Sequence, residues 1–408
     1  MNPTLRTHTL PNGLRLLFEP TTSAVAYCGY AIDAGTRDEP DDRAGLAHFV
    51  EHLLFKGTQR RRAWHILNRM ENVGGELNAY TNKEETMVYS IFPRPHLSRA
   101  MELLTDIVFR STFPAREMER EREVIADEIR SYEDEPSELI FDEFEARLFG
   151  PHPLGRNILG SPTALRRLTT ADALAYTAQH YLPSNMVLFV RANIDFGRLL
   201  HMAGHLTADL ATGTVEQRRT APTDYLPTRC TQHRNTHQAH VMIGTRTFGF
   251  HDSRRTALGL LNNLLGGPGM NSRLNVALRE RRGLVYNVES NLTTYTDAGV
   301  FSIYFGCDVD DVEACVGYVD VELERLRRDR LSPTRLSMAK KQLIGQISVA
   351  ADHHENHVLS LAKSYLHYHR HEPTAELCRR IEAVTADDLL TVANEWLSPE
   401  RLSMLIYK

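Results

Sequence analysis

Apolar and polar positions recur with helical spacing in the segment "AGLAHFVEHLLFKGT". The apolar residues between Phe49 and Leu54 follow the pattern of a mostly buried helix. His48 and His52 lie four residues apart, so both imidazoles project from the same face of this helix, one turn apart. Buried imidazoles require partners, and a metal cation is one of the few groups that satisfies both at once. The pattern therefore makes this helix a candidate metal site.

The same pattern of apolar and polar positions occurs twice along the chain. The matching segments are 47–57 and 258–269, 113–131 and 332–350, and 168–190 and 384–407. An internal repeat of this kind predicts two similar domains. Each copy combines strands with long amphipathic helices. We therefore predict an α+β fold of two tandem α/β-roll domains related by duplication, each with an antiparallel-rich sheet flanked by helices.

A polar, proline-bearing stretch without clear periodicity separates the two copies at 212–229. We predict an N-terminal domain at 1–211, a linker at 212–229 and a C-terminal domain at 230–408. The chain length of 408 residues suits this division, because it corresponds to two domains of about 200 residues each.

The second copy keeps the apolar positions of the first helix and loses its polar ones. The aligned pairs are His48 and Gly259, Glu51 and Asn262, and His52 and Asn263. If the polar residues served only to fill a helix face, the second copy would have little reason to change all three. The contrast favours a chemical role for the first copy, and we predict the metal site in the N-terminal domain only.

The third ligand of such a site should come from another element of the same half. Catalytic zinc is commonly held by two histidines and one carboxylate, with a fourth position left open. The acid-rich segment 117–135 offers many carboxylates, most of which we expect to face solvent. Val124, Ile125 and Ile129 predict the buried face of this helix.

Two of these acids, Glu121 and Glu128, lie near the predicted buried face, two helical turns apart. The repeat places Lys340 and Ile347 opposite them, so the carboxylates are missing where the histidines are missing. This correlated loss favours Glu121 and Glu128 as partners of the histidine pair.

Composition and charge restrict the possible partners and compartment. The chain has 47 basic and 52 acidic residues, with a formal net charge of -5, which argues against a nucleic-acid or anionic-membrane partner. No apolar run reaches the roughly 18 residues that a membrane span requires. The N-terminus shows no secretory pattern and predicts a strand–turn–strand at 11–13. Five scattered cysteines predict reduced packing residues and a cytoplasmic protein.

Two other histidine clusters lie late in the sequence. His353 and His357 occur in "DHHENH", and His367, His369 and His371 occur in "LHYHRHE". Neither cluster has a nearby apolar frame or a separate third ligand, so we predict solvated surface features.

A family resemblance follows from the order His-x-x-Glu-His, which is the inverted metallopeptidase motif of the inverzincins. The chain resembles the insulinase/pitrilysin family of zinc peptidases, which includes the mitochondrial processing peptidase. The segments that carry the resemblance follow the order of the family: "LPNGLRLLFEP", "AGTRDEPDDRAGLAHFVEHLLFKGT", "ENVGGELNAYTNKEET", "EREREVIADEI", "PLGRNILG" and "LRERRGLVYNVES".

The resemblance implies a role for each polar residue of the first half. His48, His52 and Glu128 correspond to the ligands of one zinc ion per chain. Glu51 corresponds to the general base that takes a proton from the zinc-activated water. Glu121 corresponds to an acid that holds a ligand imidazole by its free N–H and thereby fixes its tautomer.

Further residues correspond to the family's substrate-binding positions. Asn78 and Ala79 match a strand edge that binds the main chain of a peptide. Tyr286 matches a tyrosine that stabilises the oxyanion, and Arg279 matches an arginine that anchors the substrate. In the family, this arginine and tyrosine reach from the second domain to the active site of the first.

The resemblance implies a zinc metalloendopeptidase that hydrolyses short or unfolded peptides inside an enclosed dimer chamber. We predict a homodimer, because this chain carries both the zinc-site residues and the Arg279/Tyr286 pair, and a heterodimer with a homologous subunit is the alternative. Two other functions stay open: a presequence-type processing peptidase that requires an inactive partner, and a non-catalytic scaffold subunit. Manganese or cobalt would also suit the ligand types.

Overall fold

The computed structural model describes residues 5–216, 219–234, 236–370 and 372–408. Two compact units divide the chain. The first unit comprises the described residues of 1–130, 156–219 and 353–371, and the second those of 131–155, 220–352 and 372–408. Each unit therefore includes a segment from the other half of the sequence. The contiguous boundaries 1–211, 212–229 and 230–408 do not anticipate this exchange, and they stay a prediction.

The described residues form eleven strands. They are β1 Arg6–Thr9, β2 Arg15–Pro20, β3 Val25–Ile32, β4 Glu76–Thr81, β5 Thr86–Pro93, β6 Met186–Ala192, β7 Arg229–Gln232, β8 Ala239–Thr247, β9 Val285–Thr294, β10 Gly299–Cys307 and β11 Ser403–Tyr407.

Fourteen α-helices are present in the same described ranges. They are α1 Leu46–Leu54, α2 Ala63–Glu71, α3 Leu97–Arg110, α4 Ala115–Glu133, α5 Pro136–Phe149, α6 Pro162–Leu165, α7 Thr170–His180, α8 Phe196–Leu206, α9 Arg255–Gly266, α10 Val312–Arg328, α11 Pro333–Ala350, α12 His354–Tyr368, α13 Thr374–Ala383 and α14 Ala386–Trp396. A π-helical segment spans Asn275–Glu280, and short 3-10 segments span Thr36–Asp38, Arg94–His96, Pro153–Gly155, Pro183–Asn185, Val309–Asp311 and Pro399–Arg401.

The two sheets repeat one topology. The first sheet has the order β1-β2-β6-β3-β5-β4, and the second has the order β7-β11-β8-β10-β9. In each sheet one pair is parallel, β2 with β6 and β7 with β11, and the other neighbours are antiparallel. Apart from the additional β1, strand order and direction are the same in both sheets. The predicted α+β duplication is confirmed.

Helices cover both faces of the first sheet, which explains why its central strands are apolar almost throughout. Alternate residues point to opposite faces. Val88 and Leu188 belong to the core that includes α1 and α3, whereas Met87 and Phe189 pack with α12 through residues such as Leu366. A helix from the end of the sequence therefore completes the first unit.

The second unit has the reciprocal arrangement. Helix α5, from the first half of the sequence, packs its apolar face on the second sheet. Ile140 and Phe144 belong to one buried cluster with Met242, Tyr304 and Leu405. The two units thus exchange equivalent helices. Helix α5, from the first half of the sequence, completes the second unit, and α12, from the second half, completes the first.

The predicted strand–turn–strand near the N-terminus is present as the antiparallel pair β1 and β2. Gly13 has a φ of 91°, which L-residues with a side chain rarely adopt. The N–H of Leu14 donates a hydrogen bond to Oδ1 of Asn12, at 3.1 Å. The Asn-Gly pair is therefore the local cause of this turn.

All five cysteines are free, and Cys28, Cys307 and Cys315 are buried. Among the described residues, no helix combines the length and the apolar composition that crossing a bilayer requires.

The prediction of solvated histidines on α12 is wrong at two positions. Nε2 of His357 lies 3.0 Å from Oε1 of Glu19, and Nε2 of the buried His367 lies 2.9 Å from Oε2 of Glu85. Both contacts arise because α12 packs on the first sheet. His353 and His369 are exposed, as predicted, and His371 lies outside the described residues.

The buried side chain of Glu85 contacts two residues of α12. One of its carboxylate oxygens pairs with Lys363, and the other is hydrogen-bonded with His367. Burial raises the pKa of this carboxyl, but the hydrogen bond with His367 and the charge of Lys363 outweigh that effect, and they lower the pKa from 4.5 to about 2. A lowered pKa in the folded state stabilises the fold above pH 4.5, and this contribution disappears as the pH falls towards 2.

We therefore expect Glu85→Gln to lower the free energy of unfolding at pH 6 by up to about 3 kcal/mol. The difference from the wild type should shrink as the pH falls from 4.5 towards 2, because the unfolded wild-type chain then takes up a proton at Glu85 that the folded protein binds only near pH 2. Urea unfolding at several pH values measures both effects, with exposed Glu71→Gln as the control. A difference that stays constant with pH would contradict the ionic contact.

Candidate metal centre

The start of α1 is fixed by a close backbone approach and a buried carboxyl group. Gly45, immediately before the helix, has a φ of 87°, and a Cβ there would lie 2.8 Å from the carbonyl oxygen of Leu159. The two side-chain oxygens of Glu39 accept hydrogen bonds from the N–H groups of Gly45 and Ala47, at 3.0 and 2.7 Å. Burial raises the pKa of Glu39 to about 8, although these hydrogen bonds act in the opposite direction. The helix end is thereby anchored just before His48.

His48 and His52 lie side by side on α1, as the four-residue spacing predicts. Their ring centroids are 4.6 Å apart with an angle of 63° between the planes. His48 is buried and His52 is half-buried. Burial is the larger cause and the neighbouring His52 the smaller one of a lowered pKa of His48, to about 3. His48 is therefore neutral at neutral pH, which is the form of imidazole that binds a metal.

Helix α4 brings Glu128 to the two imidazoles. Its Oε2 lies 3.9 Å from Nε2 of His48 and 3.6 Å from Nε2 of His52. Within the described ranges, these three residues form the one cluster of His, Cys, Asp or Glu that could hold a metal ion, with ligand atoms within 4.8 Å of one another.

The donor set fits a zinc ion. Tetrahedral zinc ligands at about 2.1 Å from the ion lie about 3.4 Å apart, close to the separations of the carboxylate from the two imidazoles. Two neutral imidazoles and one carboxylate are a common protein set for zinc with an open coordination position. In the described part of the chain, Nδ1 of His48 is buried without a hydrogen-bond partner, so the site is polar and incompletely satisfied.

Glu121 and Lys56 orient the second imidazole. Oε2 of Glu121 lies 3.1 Å from Nδ1 of His52, and Nζ of Lys56 lies 2.7 Å from the other carboxylate oxygen. Burial raises the pKa of Glu121, but the hydrogen bonds from His52 and Lys56 outweigh it and lower the pKa. An ionised Glu121 accepts a hydrogen bond from Nδ1–H of His52, which leaves the unprotonated Nε2 of this ring directed at Glu128.

Glu51 lies on the same helix with its carboxylate buried. Burial raises its pKa, and a hydrogen bond with Thr81 and the proximity of His52 oppose this rise. Among the described residues, Oε2 of Glu51 has no hydrogen-bond partner. A buried carboxylate oxygen with free lone pairs can accept a proton from a molecule that enters the site.

Asn78 and Ala79 lie on β4, the edge strand of the first sheet, next to α1. β4 pairs with β5 on one side, and no other described strand pairs with its outer edge. The strand ends at Thr81, which contacts Glu51. The edge and the carboxylate are thus neighbours, and the substrate-binding roles of Asn78 and Ala79 stay a prediction.

Arg279 and Tyr286 belong to the second unit. Tyr286 is 73% exposed on β9, and Arg279 lines a cavity of about 340 Å³ beside the glycine-rich stretch 266–269. The structure brings the five predicted polar residues of the first half together in the first unit: His48, Glu51, His52, Glu121 and Glu128. The reach of Arg279 and Tyr286 to that site stays a prediction.

Three residues near the site were not predicted from the sequence. Lys56 follows His52 by four residues, as His52 follows His48, so the sequence spacing could have predicted its position beside the site. Glu39 and Thr81 gave no local signal, because only the folded chain brings them to α1.

Comparison with known proteins defines the family of the chain. The model of the insulinase family, peptidase family M16, matches residues 15–162, and the model described as the peptidase M16 inactive domain matches residues 167–343. The chain belongs to the insulinase family, M16.

Similar proteins occur in several bacteria. An uncharacterized zinc protease of Mycobacterium tuberculosis is 35% identical over 399 residues, which cover 96% of this chain and 91% of the relative. An uncharacterized zinc protease of Bacillus subtilis is 29% identical over 408 residues, which cover 98% of each chain.

Solved structures share the fold over the whole length. A protease from Helicobacter pylori has a TM-score of 0.93 with 21% identity and complete coverage of both chains. A structure from Pseudomonas fluorescens titled peptidase M16 inactive domain has a TM-score of 0.91 with 20% identity, covering 99% of this chain and 97% of that one. These identities are low, and the likeness shows the fold alone.

We expect Glu121→Gln to weaken zinc binding about 10- to 100-fold, because an amide holds the N–H of His52 less strongly than a carboxylate does. Competition with a coloured chelator measures the affinity. Glu123→Gln, at an exposed position of the same helix, should bind zinc as the wild type does. Equal affinities for the two variants would contradict the orienting contact.

Proposed function

We propose that this chain is a zinc metalloendopeptidase that hydrolyses short or unfolded peptides. The observation that carries the proposal is the convergence of His48, His52 and Glu128 beside Glu51, whose buried Oε2 has no hydrogen-bond partner in the part of the chain that the structure describes. Relatives that share about a third of the sequence over almost the whole chain are named zinc proteases, which supports the same activity.

His48, His52 and Glu128 would hold the metal. A zinc ion there would supply Lewis acidity, which polarises a carbonyl group and makes water more acidic at neutral pH. Glu121, held by Lys56, keeps the ring of His52 in one orientation and one tautomer. All of these groups lie on α1 and α4 or directly after α1, so the site rests on rigid elements.

Glu51 would act as the general base. Its buried Oε2 takes a proton from the attacking water and returns it to the leaving amine when the peptide bond breaks. Burial raises the pKa of Glu51, which makes the carboxylate a stronger base than one in water. The hydrogen bond with Thr81 keeps the side chain directed towards the strand edge where a peptide would lie.

The outer edge of β4 would bind the substrate. Main-chain groups of Asn78 and Ala79 can pair with an extended peptide, which adds to the sheet as a further strand. Only a short or unfolded chain can present its backbone in this way. Such pairing involves main-chain groups of the peptide and tolerates different side chains, so we expect cleavage of peptides with many different sequences.

Arg279 and Tyr286 would complete the site from the second unit. The exposed phenol of Tyr286 can donate a hydrogen bond to the oxyanion of the tetrahedral intermediate, and Arg279 can anchor the substrate. Because one chain carries these residues as well as the metal site, we further propose a homodimer that encloses a chamber. A heterodimer with a homologous subunit would instead leave the purified chain inactive. The five free cysteines support a cytoplasmic location.

We expect Glu51→Gln to lower kcat for an internally quenched peptide about 10²- to 10⁴-fold, because the base that accepts the proton is lost. Zinc content should stay at one ion per chain, since Glu51 is not among the ligands. Glu133→Gln, at an exposed position of α4, serves as the control and should keep wild-type activity. Full activity of Glu51→Gln, or loss of its zinc, would contradict the proposed role of Glu51.

A further inference from the structure

Two buried threonines lie between the first sheet and the candidate base. Thr81 is the last residue of β4 and Thr86 is the first residue of β5, and the two are paired across the sheet. Thr81 is hydrogen-bonded with Glu51. Oγ1 of Thr86 lies 3.4 Å from Oγ1 of Thr81, and it also donates to the carbonyl oxygen of Ala34, at 2.9 Å. Thr86 is thus held directly behind the residue that contacts the base.

A tyrosine that the proposed mechanism does not use lies next to this pair. Tyr181 follows α7, which packs against α1, and its side chain belongs to the core of the first unit. The phenol faces Thr86. Within the described ranges, however, its hydroxyl forms no hydrogen bond of ordinary geometry, although it is buried. Buried hydroxyls normally have a partner, so this one indicates a role other than packing.

The carboxylate of Glu51 is also close to the phenol. Burial raises the pKa of Tyr181, the contact with Thr86 opposes this rise, and the charge of Glu51 adds to it. The phenol therefore keeps its proton at neutral pH and is available as a hydrogen-bond donor. A donor, two paired hydroxyls and a carboxylate thus follow one another in the interior of the first unit.

We propose that Thr86 and Tyr181 are positioning residues for Glu51 and act on it through the hydroxyl of Thr81. A carboxylate only accepts hydrogen bonds, so Thr81 donates to Glu51. The oxygen of Thr81 then keeps its lone pairs for the hydroxyl of Thr86, whose own oxygen faces the phenol. The hydroxyls are therefore arranged to donate in one direction, towards the carboxylate, and hydrogen bonds in such a series strengthen one another.

This series determines which oxygen of Glu51 is free to act. Thr81 holds one side of the carboxylate, and Oε2 has no partner among the described residues. A general base must lie within hydrogen-bond reach of the proton that it takes, and a displacement of about 1 Å can lower a rate about 100-fold. The consequence for hydrolysis rests on the proposed function, in which Glu51 is the base.

The expected effect is confined to kcat. Neither Thr86 nor Tyr181 is a metal ligand, and neither lies on the outer edge of β4, so zinc affinity and KM should not change. Tyr181→Phe removes a single hydroxyl and leaves the packing of the ring intact. Loss of a buried hydroxyl without a partner does not destabilise a fold, so a residue that only packs would show no effect of this substitution.

Thr105 in α3 offers a matched control in the same unit. It is buried, and its Oγ1 lies 2.8 Å from the phenol oxygen of Tyr30 and 2.7 Å from the carbonyl oxygen of Met101. These contacts do not lead to Glu51. Thr105→Val therefore deletes a buried hydroxyl from another threonine–tyrosine pair without touching the base.

The test measures initial rates of cleavage of an internally quenched peptide by the full chain loaded with zinc. We expect Tyr181→Phe to lower kcat about threefold and Thr86→Val about tenfold, with KM and zinc content as in the wild type. Thr86→Ser, which restores the hydroxyl, should recover most of the lost kcat, and Thr105→Val should keep the wild-type value. Where Thr86→Val fails to fold, Tyr181→Phe decides alone.

Two kinetic results would overturn the inference. Wild-type kcat in Tyr181→Phe would show that the phenol only packs. An equal loss of kcat in Thr86→Val and Thr86→Ser would show that the shape of the side chain matters and its hydroxyl does not.

A stability measurement separates this inference from the proposed function. The shift in the urea midpoint caused by Thr86→Val should be smaller in a Glu51→Met background than in the parent, because the series of hydroxyls then has no carboxylate to hold. A chain that cleaves no peptide but shows this coupling would contradict the peptidase and keep the positioning contact. A chain that cleaves peptides and shows equal shifts in both backgrounds would keep the peptidase and overturn the inference.

Discussion

The approach of α1 to α4 places two imidazoles and a carboxylate in a small, partly buried volume, and the chemistry of the first unit depends on this contact. Removing polar groups from water is costly unless they find partners. Nδ1 of His48 and Oε2 of Glu51 have none among the described residues. The same burial keeps His48 neutral and makes Glu51 a stronger base. The metal ligands and the candidate base therefore lie together in a polar, partly buried site, and a cation there would bind the imidazole and carboxylate groups that face one another.

Duplication explains how the same fold occurs once with this site and once without it. Each sheet keeps the same strand order, and each ends in an edge strand beside the equivalent helices. In the first unit these helices bear His48 and Glu128, and in the second they bear Gly259 and Ile347 at the corresponding positions. The architecture therefore stays constant while a few side chains decide whether the ligands of a metal are present.

Periodicity predicted the features that depend on neighbours along the chain, and it failed where distant segments meet. The helix around His48 and His52 and the duplicated topology followed from spacing and repeats. The apolar pattern predicts Val124 on the buried face with Ile125 and Ile129, but Val124 is 48% exposed, since adjacent helix positions differ by about 100° in direction. The polar neighbours of His367 predict a surface position, but in the fold this side chain contacts the buried Glu85, which lies 282 residues away along the chain. No local pattern shows that α5 and α12 pack on each other's sheets.

Removal of the metal with a chelator, followed by titration with zinc, tests most directly whether the α1–α4 site is the catalytic centre. Hydrolysis of an internally quenched peptide by the purified chain should cease in the metal-free protein. It should return in proportion to added zinc and reach its limit at one ion per chain. Hydrolysis that persists without metal, or a metal-free chain that binds no zinc, would contradict the assignment of His48, His52 and Glu128 as the centre of a zinc peptidase.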